Sequence, residues 1–268
     1  QDNSSNAGGL GTENATITLD ETLQTFEVYW TANSSSNNIT VSRNTNNSDY
    51  SFEVDNISVK EVQVDAPRID FTDDTTGHLL LEPQRTNLFQ HSEQFSNNYW
   101  LKARIETPYI ADVLSPDGTL NAYTLEISSG ETNGGGVYKP LSVSGDNSWS
   151  VFAKKGTVNY LVLGDTGLDG SRNVVYFNIS NGTIGSKYQN ATGEIEDFGN
   201  GWYRCTMKYT LTSTGNKFIY MTNIDGTISN AVVGGDYTYI YGAQFEVGSF
   251  ATSYIPTSGS AVTRNQEL

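Results

Sequence analysis

Tyr237-Thr-Tyr-Ile-Tyr-Gly-Ala-Gln-Phe-Glu-Val247 is the stretch that decides the fold. Tyr237, Tyr239, Tyr241, Ala243, Phe245 and Val247 fall on one phase of a two-residue period. Side chains alternate across a strand, so this phase predicts one long β-strand with a single apolar face. Tyr203, Cys205, Met207, Tyr209 and Leu211 repeat the pattern against polar neighbours. Trp149–Ala153, Tyr160–Leu163, Val174–Ile179 and Phe218–Met221 are further, shorter strand candidates. Nearer the N-terminus, residues 16–19, 24–30, 38–42 and 50–54 read as strands. The last continues through Asp55-Asn56 into Ile57-Ser-Val59, where the slipped phase predicts a β-bulge. Ser115-Pro-Asp-Gly118, Asp169-Gly170, Ser180-Asn-Gly182 and Asn200-Gly201 are turn signals between the runs. Helical periodicity is nearly absent. The pattern predicts an all-β, antiparallel sandwich.

Composition narrows the partners. Charged residues make up only 17%, so charge repulsion does not hold the chain open. The 16 Tyr and 11 Phe suit half-buried pleated surfaces. A formal net charge of −15 and a pI of about 4.4 argue against nucleic acid and against anionic membrane surfaces. They suit solubility, neutral glycans or calcium. No apolar run approaches a membrane span. Gln1-Asp-Asn-Ser-Ser5 carries no basic start and no apolar stretch, so the N-terminus reads as a processed or cut end. Cys205 is the single cysteine, which excludes an intrachain disulfide, and its alternating position predicts a buried strand thiol.

The order strand, polar turn, strand, polar turn, long strand runs through residues 24–66 and again through 203–256. The first copy therefore reads as the C-terminal half of a module. The expected organisation is a partial module over 1–66, a complete one over 67–260, and the start of a linker or next element over 261–268. Neighbouring modules or chains would complete the first half.

Recognisable motifs follow in one order. They are Pro67-Arg-Ile-Asp-Phe71, Leu80-Leu-Glu-Pro-Gln-Arg-Thr-Asn-Leu88, Ser92-Glu-Gln-Phe-Ser-Asn-Asn-Tyr-Trp100, Phe152-Ala-Lys-Lys-Gly156 and Gly199-Asn-Gly-Trp-Tyr-Arg204. The last is Gly242–Pro256, with Gly-Ala-Gln-Phe-Glu-Val at its start and Tyr-Ile-Pro at its end. Over residues 67–264 the chain resembles modules of phage tail and head-fibre proteins. These in turn resemble jelly-roll carbohydrate-binding modules with a galactose-binding-like sandwich. The resemblance implies an antiparallel jelly-roll β-sandwich on a virion surface or in another extracellular setting. It implies homo-oligomers, trimers included, and contact with glycans. A fold by itself does not give a function.

Sugars stack their C–H faces on exposed aromatic rings while polar side chains read the hydroxyls. Trp149, Trp100 and Trp202, with Arg104 beside Trp100 in sequence, are the candidate glycan contacts; Trp30 lies in the half module. Core packing is the competing role for every one of these rings. By resemblance, Asn87, Glu93 and Glu246 are candidate oxygen donors for a structural Ca²⁺, although Ala243-Gln244 stands where related modules carry Asp. Asp73-Asp74 and Glu194-Ile-Glu-Asp197 supply carboxylates, but a glycosidase needs a pair at a defined separation. His78 and His91 accompany no Gly-x-Ser-x-Gly elbow and no zinc-ligand spacing. No catalytic site is expected. The nine Asn-x-Ser/Thr sequons, Asn178, Asn181 and Asn190 among them, follow from an Asn-rich composition. Three readings stay open: an adhesive fibre module, a carbohydrate-binding module of a secreted bacterial protein, and a ligand-free spacer or decoration module.

Overall fold

A computed structural model describes residues 81–266 apart from 168–171 and 212–213, together with the backbone of five strands before residue 81. The chain divides into two compact units, Gln1–Val62 and Gln63–Leu268. Residues 24–30, the bulge at 55–56, Trp30, Asp73-Asp74 and most of the first repeat copy lie outside the described residues.

In the first unit, β1 (Ser4–Gly9) pairs antiparallel with β2 (Gly11–Thr18) and with β3 (Thr40–Arg43), giving the order β2-β1-β3. In the second unit, β4 (Arg68–Asp70) pairs with β5 (His78–Leu80). β6 (Arg85–Asn87) pairs with the last strand, β19 (Val262–Arg264).

The remaining strands form two six-stranded antiparallel sheets. The first comprises β7 (Leu101–Ala103), β10 (Gly135–Leu141), β12 (Tyr160–Gly167), β13 (Arg172–Asn178), β14 (Thr183–Tyr188) and β17 (Gly215–Thr222). Its order is β14-β13-β12-β17-β10-β7. The second comprises β8 (Tyr109–Ile110), β9 (Tyr123–Glu126), β11 (Gly145–Lys155), β15 (Thr192–Asp197), β16 (Trp202–Leu211) and β18 (Tyr237–Val247). Its order is β15-β16-β11-β18-β9-β8. No helix occurs among the described residues. The chain is thus all-β, and its second unit is a β-sandwich.

Alternation fills the space between the sheets. Leu161, Leu163, Val175, Phe177, Ile219 and Met221 enter from the first sheet. Val151, Cys205, Met207, Ile240, Ala243 and Phe245 meet them from the second. Cys205 is a free, fully buried thiol, and burial alone pushes its ionisation far up.

The long strand that opened the sequence reading differs in one respect. Ile240, Ala243 and Phe245 face the core, whereas Tyr241 belongs to a cluster on the opposite face. Phe152 pairs with Tyr241 but Ser150 pairs with Gln244, so β18 carries one extra residue there. That is a β-bulge, and it exchanges the two faces of the strand. Gly242 sits in it at φ +60°. The single apolar face expected from Tyr237 to Val247 is therefore two half-faces, and Val247 itself is exposed.

Candidate functional site

The three tryptophans offered as stacking platforms are core residues. Trp100, Trp149 and Trp202 expose 1%, 2% and 1% of their surface. Trp100 packs 4.8 Å from Phe89 and 5.4 Å from Phe95, and its indole N–H donates to the His91 carbonyl at 2.8 Å. Trp149 lies 5.6 Å from Phe89 and 6.4 Å from Phe245. Trp202 packs on Phe152 and Tyr241 and donates to the Leu114 carbonyl at 2.9 Å. A ring without a bare face cannot carry a sugar, so the stacking role passes away from all three.

The calcium donors do not converge. Asn87 is buried and fully engaged. Its amide N–H groups donate to the carbonyls of Ala243 and Ile255 at 3.1 and 2.8 Å. Its Oδ1 accepts from the N–H groups of Phe89 and Phe245 at 3.1 and 3.0 Å. Glu246 is spent on the backbone N–H and hydroxyl of Thr252, at 2.9 and 2.5 Å. Glu93 accepts from the Tyr241 and Tyr254 hydroxyls at 2.9 and 3.0 Å. Calcium wants six to eight oxygens around one point. Among the described residues no group of three His, Cys, Asp or Glu gathers to hold a metal.

Other candidates are equally occupied. Glu194 on the edge strand β15 forms an ion pair with Lys208. His91 bonds Gln94 through Nδ1 at 2.7 Å and lies 5.3 Å from the Tyr99 ring. A shallow cavity lined by Gln84, Arg85, Thr86, Leu88 and Val247 contains no carboxylate.

Arg104 leads to a different surface. It has φ 59°, and its Nε donates to the Gly134 carbonyl at 2.8 Å. Its guanidinium lies over the Tyr220 ring at 5.4 Å. Tyr220 stands on the face of the first sheet that is turned away from the core. Val162, Val174, Tyr176 and Phe218 form the floor of that face, with Tyr138, Tyr160, Tyr220 and Ile228 packed against it. The register sets two rows. Tyr138, Phe218, Gly164, Val174 and Tyr188 are successive cross-strand partners. Gly136, Tyr220, Val162 and Tyr176 form the row beside them. Gly164 has to be glycine, because a Cβ there would meet the Phe218 ring at 2.1 Å. Tyr138, Tyr160 and Tyr220 are half-buried, and Tyr188 is 44% exposed.

The β17–β18 connection bounds this strip. Its Asp225 accepts from the backbone N–H of Ser186 at 2.8 Å and from the Ser186 hydroxyl at 3.1 Å. Tyr188 donates to the Gly226 carbonyl at 2.6 Å, and the Gly134 N–H donates to the Ile228 carbonyl at 2.7 Å. A loop leaving β17 reaches β14, three strands away, and returns beside β10. The bounded strip carries apolar ring faces, with the Arg104 guanidinium over one ring and the Asp225 carboxylate at the rim. Burial, with Tyr188 and Asp225 adding to it and Arg172 opposing, pushes the Tyr176 hydroxyl up to about 12.

Tyr138, Tyr160, Tyr176, Tyr188 and Tyr220, rather than the tryptophans, line this strip. A signal was present. Val174-Val-Tyr-Phe and Phe218-Ile-Tyr-Met are apolar on both phases. A strand apolar on both phases has a second face that is covered or used. Among known proteins, no family model and no curated protein matches the chain.

Proposed function

We propose that the chain is a structural and adhesive module of a virion fibre or spike, and that its tyrosine strip contacts cell-surface glycans. One observation carries the reading: ring faces on the outer side of the first sheet, with Arg104 over Tyr220 and Asp225 at the rim. Half-buried tyrosines offer flat apolar area and a hydroxyl at little entropic cost, and a guanidinium and a carboxylate suit sugar hydroxyls. The acidic surface favours neutral over anionic glycans.

The finer fold reading is a jelly roll over 67–260. Its support is the pairing of β9 with β18, β10 with β17, β11 with β16 and β12 with β13. A ribbon of eight strands rolled back on itself pairs in that nested order. By the same reading, residues 1–66 end a preceding module, and the module assembles as a homotrimer.

Glycan-array binding of the full chain tests the proposal, with Tyr220→Ala and Tyr138→Ala beside it. Each substitution should weaken binding roughly five- to tenfold while the unfolding midpoint moves little. Signal retained by both variants would remove the strip from the reading. The absence of glycan binding in any assembly state would favour a ligand-free spacer. Binding by a monomer would favour a carbohydrate-binding module of a secreted bacterial protein.

A further inference from the structure

Between the two sheets one ion pair stands apart from the apolar core. Asp165 of β12 and Lys217 of β17 are direct cross-strand partners. Both side chains are 0% exposed, and Lys217 Nζ lies 3.1 Å from Asp165 Oδ2. The other bonds of the ammonium are long, 3.3 Å to the Gly215 carbonyl and 3.4 Å to that of Leu141. Phe245 presents its ring 5.7 Å from Nζ. The Tyr209 hydroxyl faces the Asp165 carboxylate, and burial together with that carboxylate pushes its ionisation far up. Burial also pulls the Lys217 ammonium below its ordinary value, against the opposing pull of Asp165. A dry environment penalises two charges and favours the neutral amine and neutral acid. An amine and a carboxylic acid held in contact are the reactants of amide formation, and fixed proximity removes most of the entropic barrier.

We propose that Lys217 and Asp165 condense into an intramolecular isopeptide bond that ties β17 to β12. The lone pair of neutral Lys217 Nζ attacks Cγ of protonated Asp165, and the new Nζ–Cγ bond forms. One Cγ–O bond breaks. The departing hydroxyl takes a proton released from Nζ and leaves as one water molecule. Tyr209 is placed to relay that proton. Neither an oxidant nor a cofactor enters the balance. The product replaces two buried charges by one neutral amide.

Mass spectrometry of the full, denatured chain tests this directly. The expected result is a chain lighter than its sequence by one water. Trypsin should cut after Lys155, Arg172 and Lys208 but not after Lys217, whose amine is consumed. Fragments 156–172 and 209–264 should then emerge joined. Lys217→Arg and Asp165→Ala should return the chain to its sequence mass and separate the fragments. Wild-type chain at its sequence mass, cut after Lys217 and with fragments 156–172 and 209–217 free, would overturn the proposal. That outcome is read on the wild-type chain, so it does not depend on whether either variant folds.

Discussion

Gly242 holds φ at +60°, and a Cβ there would stand 3.0 Å from the Tyr254 ring and 3.1 Å from that of Phe152. Two costs coincide, a left-handed backbone and an overfilled space. Gly242→Ala should therefore lower stability by about 2 kcal/mol, read as a lower urea midpoint at unchanged slope. The glycine itself is plain in the sequence. Its effect is not, because the tyrosines before it and Ala243 and Phe245 after it all keep one phase. Only the pairing of Ser150 with Gln244 and of Phe152 with Tyr241 reveals the slip. The burial of the tryptophans is hidden in the sequence for a related reason. Residue type says that a ring is large and apolar, but the partners that bury it come from distant segments. Phe89 and Phe245, which pack on Trp149 from elsewhere in the chain, and Leu114, which accepts from Trp202 across 88 positions, are such partners.

At the scale of elements, the β8–β9 connection shows how a turn is tied to a sheet. Ser115 and Thr119 hydroxyls donate to Asp117 Oδ1 at 2.6 and 2.8 Å, and Asn121 donates to its Oδ2 at 3.0 Å. The Tyr241 hydroxyl on β18 stands 2.9 Å from that same Oδ2 and 2.9 Å from Glu93 Oε1, its one proton shared between the two carboxylates. Burial pushes the Asp117 carboxyl up, but the hydrogen bonds from Ser115, Thr119 and Asn121 outweigh it and hold the group well below its ordinary 3.8. A depressed folded value means stability that is full above the unfolded value and lost as pH falls through the folded one. Asp117→Asn should lower the unfolding midpoint at neutral pH and flatten its decline in acid. Denaturant curves at stepped pH check both effects. The turn was legible as Ser-Pro-Asp-Gly, and so were β11, β12, β13, β16, β17 and β18. What it clips was not, because the Tyr241 hydroxyl arrives from 124 positions away.

For the whole molecule, the all-β class is legible in the sequence, since a two-residue period with frequent turn residues admits little else. The tyrosine strip was legible only in the doubly apolar strands at Val174–Phe177 and Phe218–Met221. Which sheet they join, and which side of it stays open, depends on long-range pairing. Among the described residues of the second unit, that pairing leaves three apolar layers with different covers. The central one lies between the sheets. The layer around Phe152 and Trp202 is capped where Trp202 bonds Leu114 in the β8–β9 connection. The layer around Phe218 and Tyr176 is bounded by the loop carrying Asp225. The two outer layers can therefore open without melting the middle one. Amide hydrogen exchange should resolve this as a hierarchy: residues 223–230 exchange first through local opening, those near 115–119 follow, and the paired amides of β12 and β17 exchange only when the sandwich itself unfolds. The loop stands beside the tyrosine strip rather than over it, so a ligand seated on the rings and against Asp225 would hold the loop closed, and occupancy of the strip would register first as slowed exchange over residues 223–230.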